Sequence, residues 1–285
     1  MVKAKVKESL MRAVFFSAAC VSIGAVVLIC IFLFANGLPT LLQIGLPEFL
    51  AGQEWRPSAD IYGILPMIVG SLYVTAGAIL VGVPIGILTA VFMARFCPRR
   101  LYKLLKPAVD LLAGIPSVVY GFFGLMVIVP AVRSLAGGSG ASWLAASLVL
   151  GIMILPTIIG VGESALRAVP DNYYEGSLAL GATHERSVFK VLLPAARSGV
   201  MAGVILGVGR AIGETMAVIM VAGNQPAMPT NLFQGLRTMT ANIVLEMGYA
   251  QDLHRQALIA TAVVLFVFIL IINLCFSMLK RRSRQ

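Results

Sequence analysis

The 285-residue sequence predicts an all-α integral membrane protein with six transmembrane helices and both termini in the cytoplasm. Three observations predict it. First, 59% of the residues are hydrophobic and 12% charged, with a mean hydropathy of +0.94. A soluble domain carries about 25% charged residues, so the polar surface needed to cover a water-soluble globule is missing. Second, six apolar runs at 13–35, 64–95, 107–131, 143–166, 197–222 and 255–279 reach the ~20 residues a helix needs to cross a ~30 Å hydrocarbon core. They do not alternate in segments of about ten residues, as membrane-barrel strands would. Third, 17 of the 22 Lys and Arg fall on one side of that topology. They cluster at Lys3–Arg12, Arg95–Lys106, Arg167–Arg197 and Lys280–Arg284, whereas Arg56, Arg133, Arg237 and Arg255 lie opposite. The positive-inside rule makes the rich side cytoplasmic. The net charge of +10 is therefore topology and not an affinity for nucleic acid, with a minor share available to anionic lipid headgroups.

Each element follows in order. The first span has a basic lead, but its apolar stretch of about 23 residues exceeds the 7–15 of a secretory signal. With no small-residue cleavage site after it, and despite the string SAAC at 17–20, it is expected to stay as an uncleaved helix. Residues 36–62 read as an external segment, with turn signals at Gly37, Pro39, Pro47, Gly52 and Pro57 and a mildly amphipathic middle suited to the membrane surface. Asp110 is expected in the first turn of the third span, where a carboxylate favours the helix N-terminus. Pro84, Pro116, Pro130 and Pro156 read as interruptions of spans. The connection at 132–142 is short and flexible in composition. Glu163 stands four residues before Arg167 and reads as a helix-end ion pair or as part of a cytoplasmic exit. Gly199, Gly203 and Gly207, four apart, permit close helix packing. The loop at 223–254 is expected outside.

The cytoplasmic connection at 167–196 is more elaborate than topology requires. Pro170 closes the preceding helix, and Asn172 with Glu175 reads as a capping pair that starts a short helix through Leu180. Gly181 supplies turn geometry, and Thr183 caps a second helix from His184 to about Val191. Pro194 is expected to separate that helix from the fifth span. The result is a helix–turn–helix platform offering Tyr174, Leu178, Leu180 and Phe189 for contacts.

Arg210 and Glu214 lie inside the fifth span. A charge at the bilayer centre costs about 2.5–3.5 kcal/mol on insertion scales, so such residues face a cavity or a partner. Four apart on one helical face, they are expected within reach of each other. The guanidinium fork suits the oxygens of phosphate, and equally those of sulfate. Either Glu214 holds Arg210 until an anion arrives, or the two form a structural ion pair.

The sequence holds no HExxH, no GxSxG and no GxxxxGK[ST]. It also lacks metal-ligand spacing among its four Cys and two His, so no cofactor or metal site is expected. An intramembrane enzyme is thereby disfavoured, and any ATP hydrolysis must belong to a partner. A gradient-driven secondary transporter would fit six spans but would leave the cytoplasmic platform without a use.

The spacing of Glu175, Gly181 and Val191-x-Leu193-Pro194 resembles the coupling-loop signature of permease subunits of type I ATP-binding-cassette (ABC) importers. Gly176 and Ser177 stand where that signature has two alanines, and Val191 where it has isoleucine. GIPSVVYGFFGL at 114–125, GVGRAIGETMAVIMVAGN at 207–224, EGSLALGAT at 175–183 and WRP at 55–57 are similar to permeases of the bacterial phosphate-specific importer. The long loop ending in His254 fits their C type. The resemblance implies the type I permease fold, with a first helix and external segment at 1–62, a core at 63–280 containing the coupling loop at about 170–195, and a basic tail at 281–285. It also implies that Glu175, Gly181, Val191, Leu193 and Pro194 couple the chain to a cytoplasmic ATPase dimer, and that Arg210 and Glu214 belong to the translocation pathway. The other implied partners are a second, A-type permease subunit and an extracytoplasmic phosphate-binding protein. The setting is then the cytoplasmic membrane of a bacterium or archaeon. Another oxyanion, sulfate or molybdate, is the alternative substrate.

Overall fold

The computed structural model describes residues 2–282, so the basic tail expected at 281–285 falls partly outside the described residues: Arg281 and Arg282 close the last helix, and 283–285 are not described. Among the described residues five helical segments are long and apolar enough to cross a membrane, and the segment Arg197–Gly213 passes as a sixth when counted with His184–Ala195, from which it is bent by 70°.

Helix α1 (Val2–Ile44) is one continuous helix that runs through Gly37 and Pro39, where turns were expected. Gly37 is a contact residue: a Cβ there would lie 2.5 Å from the Val263 side chain of the last helix. The chain turns at Gly45, whose φ of +96° suits glycine. The external segment is therefore shorter than expected. It holds α2 (Leu46–Ala51) and an antiparallel hairpin of β1 (Trp55–Arg56) and β2 (Ile61–Tyr62).

The centre of the bundle is α7 (Trp143–Arg167), packed between α3 (Leu65–Val91) and α11 (Arg197–Gly213). Small residues let the backbones approach. Gly82 and Gly86 of α3 lie against Ile154 and Ile158, while Gly199, Gly203 and Gly207 of α11 lie against Ala165, Val161 and Ile158. The glycine stripe thus packs as its spacing predicts. Pro84 and Pro156 sit inside unbroken α3 and α7, contrary to their reading as interruptions.

The run at 107–131 is two structures rather than one span. Helix α4 (Arg99–Gly114) is strongly amphipathic and stops at Ile115, and α5 (Ser117–Phe123) starts after Pro116. It continues through a π-turn (Gly124–Ile128) into α6 (Val129–Ala136), so the third span begins at Ser117 and Pro130 sits in its first α6 turn. Asp110 consequently lies late in α4 and pairs with Lys106 at 3.1 Å, not at a helix start.

The fifth span also breaks. Helix α11 ends at Gly213, Glu214 is extended (φ −71°, ψ 132°), and α12 (Met216–Val221) follows. The loop after it folds back inward as α13 (Met239–Glu246), with Met239, Ala241 and Asn242 fully buried, before α14 (Asp252–Arg282) returns to the cytoplasm.

Candidate translocation and coupling sites

The cytoplasmic platform forms as a helical hairpin. Helix α8 (Asp171–Ala179) starts directly after Pro170, so Asn172 lies inside it and the Asn172–Glu175 capping pair does not form. Gly181, at φ +84°, ends it: Gly181 N–H donates to Leu178 O (2.9 Å) and Ala182 N–H to Ser177 O (3.1 Å). That is the paired closure of a left-handed helix stop. The Thr183 side chain accepts from Arg186 N–H and caps α9 (His184–Ser187). The helix continues as a π-turn (Val188–Leu192) into α10 (Leu193–Ala195). Pro194 does not separate the platform from the fifth span; Ala196 does, through a 70° bend. Pro194 follows directly on the π-turn, inside helical backbone that runs from His184 to Ala195.

Burial divides the hairpin in two. Val188 and Leu192 are fully buried against Ala90 and Val91 of α3 and Leu166 of α7. Leu178, Leu180 and Phe189 face outward, Leu180 being 91% exposed, and Glu175, Gly181 and Pro194 are exposed as well. Val191 and Leu193 are half-buried. Tyr174, expected among the outward contacts, instead joins the two helices through its hydroxyl and His184 Nδ1 at 2.7 Å.

The two span breaks come together inside the bundle. Helices α5 and α12 pack side by side, with Gly121 admitting Ala217 and Met220 and Gly124 admitting Val221. Arg210 is half-buried in the last turn of α11, and the Tyr120 hydroxyl of α5 donates to Leu112 O (2.7 Å). Arg210 and Glu214 do not pair: among the described residues Arg210 has no ion pair, and Glu214 Oε1 accepts from Ala217 N–H (3.1 Å). The four-residue spacing failed because the helix ends between them. Glu214 becomes the joint, its side chain capping α12 and its carbonyl accepting from Thr240 Oγ1 (3.2 Å) of α13.

Two buried carboxylates were not recognised for what they do. Glu163 pairs with Arg167 at 2.8 Å, as its spacing predicts, but also accepts from Tyr102 Oη (2.6 Å) and faces Lys106 Nζ at 3.5 Å. That hydrogen bond raises the Tyr102 phenol above its ordinary range. Burial opposes the charge of Lys106, but Asp110 and Glu163 outweigh it and its pKa rises. On the external side Glu246 is held by Trp55 Nε1 (2.8 Å), His254 Nε2 (2.8 Å) and Arg237, which also donates to Asn242 Oδ1 (2.9 Å). This set joins the hairpin, α13 and α14. Its members are far apart in the chain, so no local spacing announces it. Among the described residues no group of His, Cys, Asp and Glu could hold a metal ion.

The chain is thus a membrane bundle with a helical hairpin on one face and two broken spans packed together inside. Solved structures have a similar fold: a methionine ABC transporter in inward-facing conformations matches at TM-score 0.58 and 21% identity, over 78% of this chain and 94% of that one. A bacterial alginate ABC transporter matches at TM-score 0.59 and 16% identity, over 93% and 94%. The chain belongs to the family described as binding-protein-dependent transport system inner membrane component, matched over residues 82–285. Its relatives include a probable ABC transporter permease protein YqgH of Bacillus subtilis, 42% identical over 92% of this chain and 88% of that one. The phosphate transport system permease protein PstC of Mesorhizobium japonicum is 36% identical over 86% and 81%. A probable PstC of Methanocaldococcus jannaschii is 32% identical over 91% and 89%. The chain is thus a multi-pass permease subunit of an ABC importer and not an enzyme; ATP hydrolysis and capture of the cargo belong to an ATPase and a binding protein.

Proposed function

We propose that this chain is a permease subunit of a phosphate importer. With a second, A-type permease it would form the path for inorganic phosphate across the cytoplasmic membrane, fed by an extracytoplasmic phosphate-binding protein and driven by a cytoplasmic ATPase dimer. The carrying observation is the likeness to proteins named as phosphate permeases, 32–36% identical over most of both chains. The structure is compatible with an anion path at the paired breaks. Arg210 carries an uncompensated cation there, among the described residues, and the guanidinium offers forked donors to an oxyanion. Broken membrane helices are a recurrent way to bring polar backbone to a substrate at mid-membrane. In this reading Arg210 attracts the anion and Glu214 keeps the break open for it.

Coupling rests on the hairpin. Glu175, Gly181 and Pro194 lie at its surface and Val191 and Leu193 at its root, so the outer part docks into the ATPase and the root passes the motion to α3 and α7. The test is uptake of radiolabelled phosphate by vesicles holding the whole complex, with sulfate and molybdate as competitors. ATP-dependent uptake inhibited by neither competitor supports the reading. Uptake abolished by sulfate or molybdate assigns a different oxyanion, and uptake that survives ATP depletion but not an uncoupler assigns a secondary transporter.

A further inference from the structure

We propose that Glu163 is a positioning residue of the transport cycle: the anchor of an ionic latch that ties α4, and through it the α4–α5 break, to the coupling hairpin. The inference rests on the permease reading and specifies how motion crosses the chain.

Glu163 is 2% exposed, so its charge is retained only because partners surround it. Those partners come from two directions. On one side Tyr102 and Lys106 belong to α4. On the other, Arg167 binds Glu163 Oε1 and reaches Met93 O (2.9 Å) in the π-turn that ends α3. The same π-turn carries Arg95, which donates to Leu166 O (3.2 Å) and pairs with Asp171 of α8 at 3.3 Å. Its guanidinium lies 6.0 Å from the Tyr174 ring, and Tyr174 in turn holds His184 of α9. Polar contacts, joined through the backbone of the π-turn and of α7 at Leu166–Arg167, therefore link both short helices of the hairpin to α4. At the far end of α4, Leu112 O receives the hydroxyl of Tyr120 on α5, the helix that packs against α12 beyond the second break.

The latch has two settings. Glu163 Oε1 carries two hydrogen bonds, but Oε2 is buried with none. A buried carboxylate oxygen without a donor is costly and calls for one. The nearest is Lys106, now 3.5 Å away and shared with the exposed Asp110 at 3.1 Å. A small turn of α4 would move the ammonium from Asp110 onto Oε2. The structure holds the Asp110-side setting; the Oε2-side setting is the one the hairpin imposes or releases when the ATPase moves.

The test uses the complete transporter in vesicles. A nitroxide at Leu104→Cys, on the exposed side of α4, reports its motion in a background where Cys20, Cys30, Cys97 and Cys275 are alanine. ATP should change the label's spectrum in the parent complex, and Glu163→Gln, which keeps the shape and an acceptor but removes the charge, should abolish the change. Glu163→Gln should also lower phosphate moved per ATP by roughly 5-fold or more, the low end of ordinary coupling between sites, with normal recovery of the complex. Lys106→Met should match it, the double variant should be no worse than either single one, and Lys103→Gln on the exposed face should behave as the parent. A label that ignores ATP in the parent, or losses of recovery, hydrolysis and uptake in equal proportion, would overturn the latch. A parent complex that moves no phosphate while its label still answers ATP would overturn the phosphate reading and leave the latch standing.

Discussion

Replacing Gly181 isolates the backbone contribution to coupling. Its φ is +84°, and no atom lies within 4 Å of where a Cβ would stand, so a side chain there meets no steric obstacle. The whole cost is conformational. An L-residue pays roughly 1–2 kcal/mol in the left-handed region, asparagine least and β-branched residues most. A cost of 1–2 kcal/mol lowers the population of the native turn about 5–30-fold relative to its alternatives. The turn also places the hydrogen bonds from Gly181 and Ala182 that end α8, so its loss changes how α8, with the exposed Leu178, is set against α9. Gly181→Asn, Gly181→Ala and Gly181→Val should therefore form a graded series. The assay is recovery of the ATPase on the tagged permease, followed by phosphate moved per ATP in vesicles. Both should fall in the order Asn, Ala, Val, while insertion of the chain is unchanged. Full coupling by Gly181→Val, or equal losses for all three, would refute the argument.

Four further outcomes are expected. Arg210→Gln should cut phosphate uptake at least about 10-fold with normal ATPase recovery, and Arg210→Lys should retain part of it because charge remains without the planar fork. Glu214→Gln keeps an acceptor for Ala217 N–H and should preserve thermal stability, whereas Glu214→Ala removes the cap and should cost about 1 kcal/mol in detergent melting. Glu246→Ala strands the half-buried Arg237 and the Trp55 and His254 donors and should cost about 3 kcal/mol, read as a lower melting temperature; unchanged melting would show the cluster to be inert. Burial and the hydrogen bond to Asp60 push Tyr62 up to about 12 from 10.0. A raised folded pKa means that the neutral phenol's contribution to hairpin stability is complete below pH 10 and is lost as pH climbs toward 12. Difference absorbance at the tyrosinate band between the parent and Tyr62→Phe should place that ionisation near the upper end.

The legible part of the fold came from patterns that need no partner. Apolar length placed the spans, basic asymmetry oriented them, and Pro170, Gly181 and Thr183 marked the hairpin through their own backbone preferences. Misreadings arose where packing overrode local preference. Gly37 reads as a turn by type but serves the approach of α1 to α14, and Pro84 and Pro156 stay within helices whose neighbours hold them.

Composition and charge distribution thus determined by themselves that this is a multi-span, all-α membrane protein, and the Pro170, Gly181 and Thr183 spacing that a helical hairpin stands on its basic side, because each signal is local or additive along the chain. Only the tertiary structure decided where the third and fifth spans break, that Arg210 and Glu214 stand apart, and that Glu163 and Glu246 each gather partners from separate helices. Hydrogen bonds and ion pairs are satisfied in space, and a buried carboxylate binds whichever donors packing brings to it. The Trp55–Glu246 contact, 191 residues apart in the chain, has no counterpart in any window of sequence.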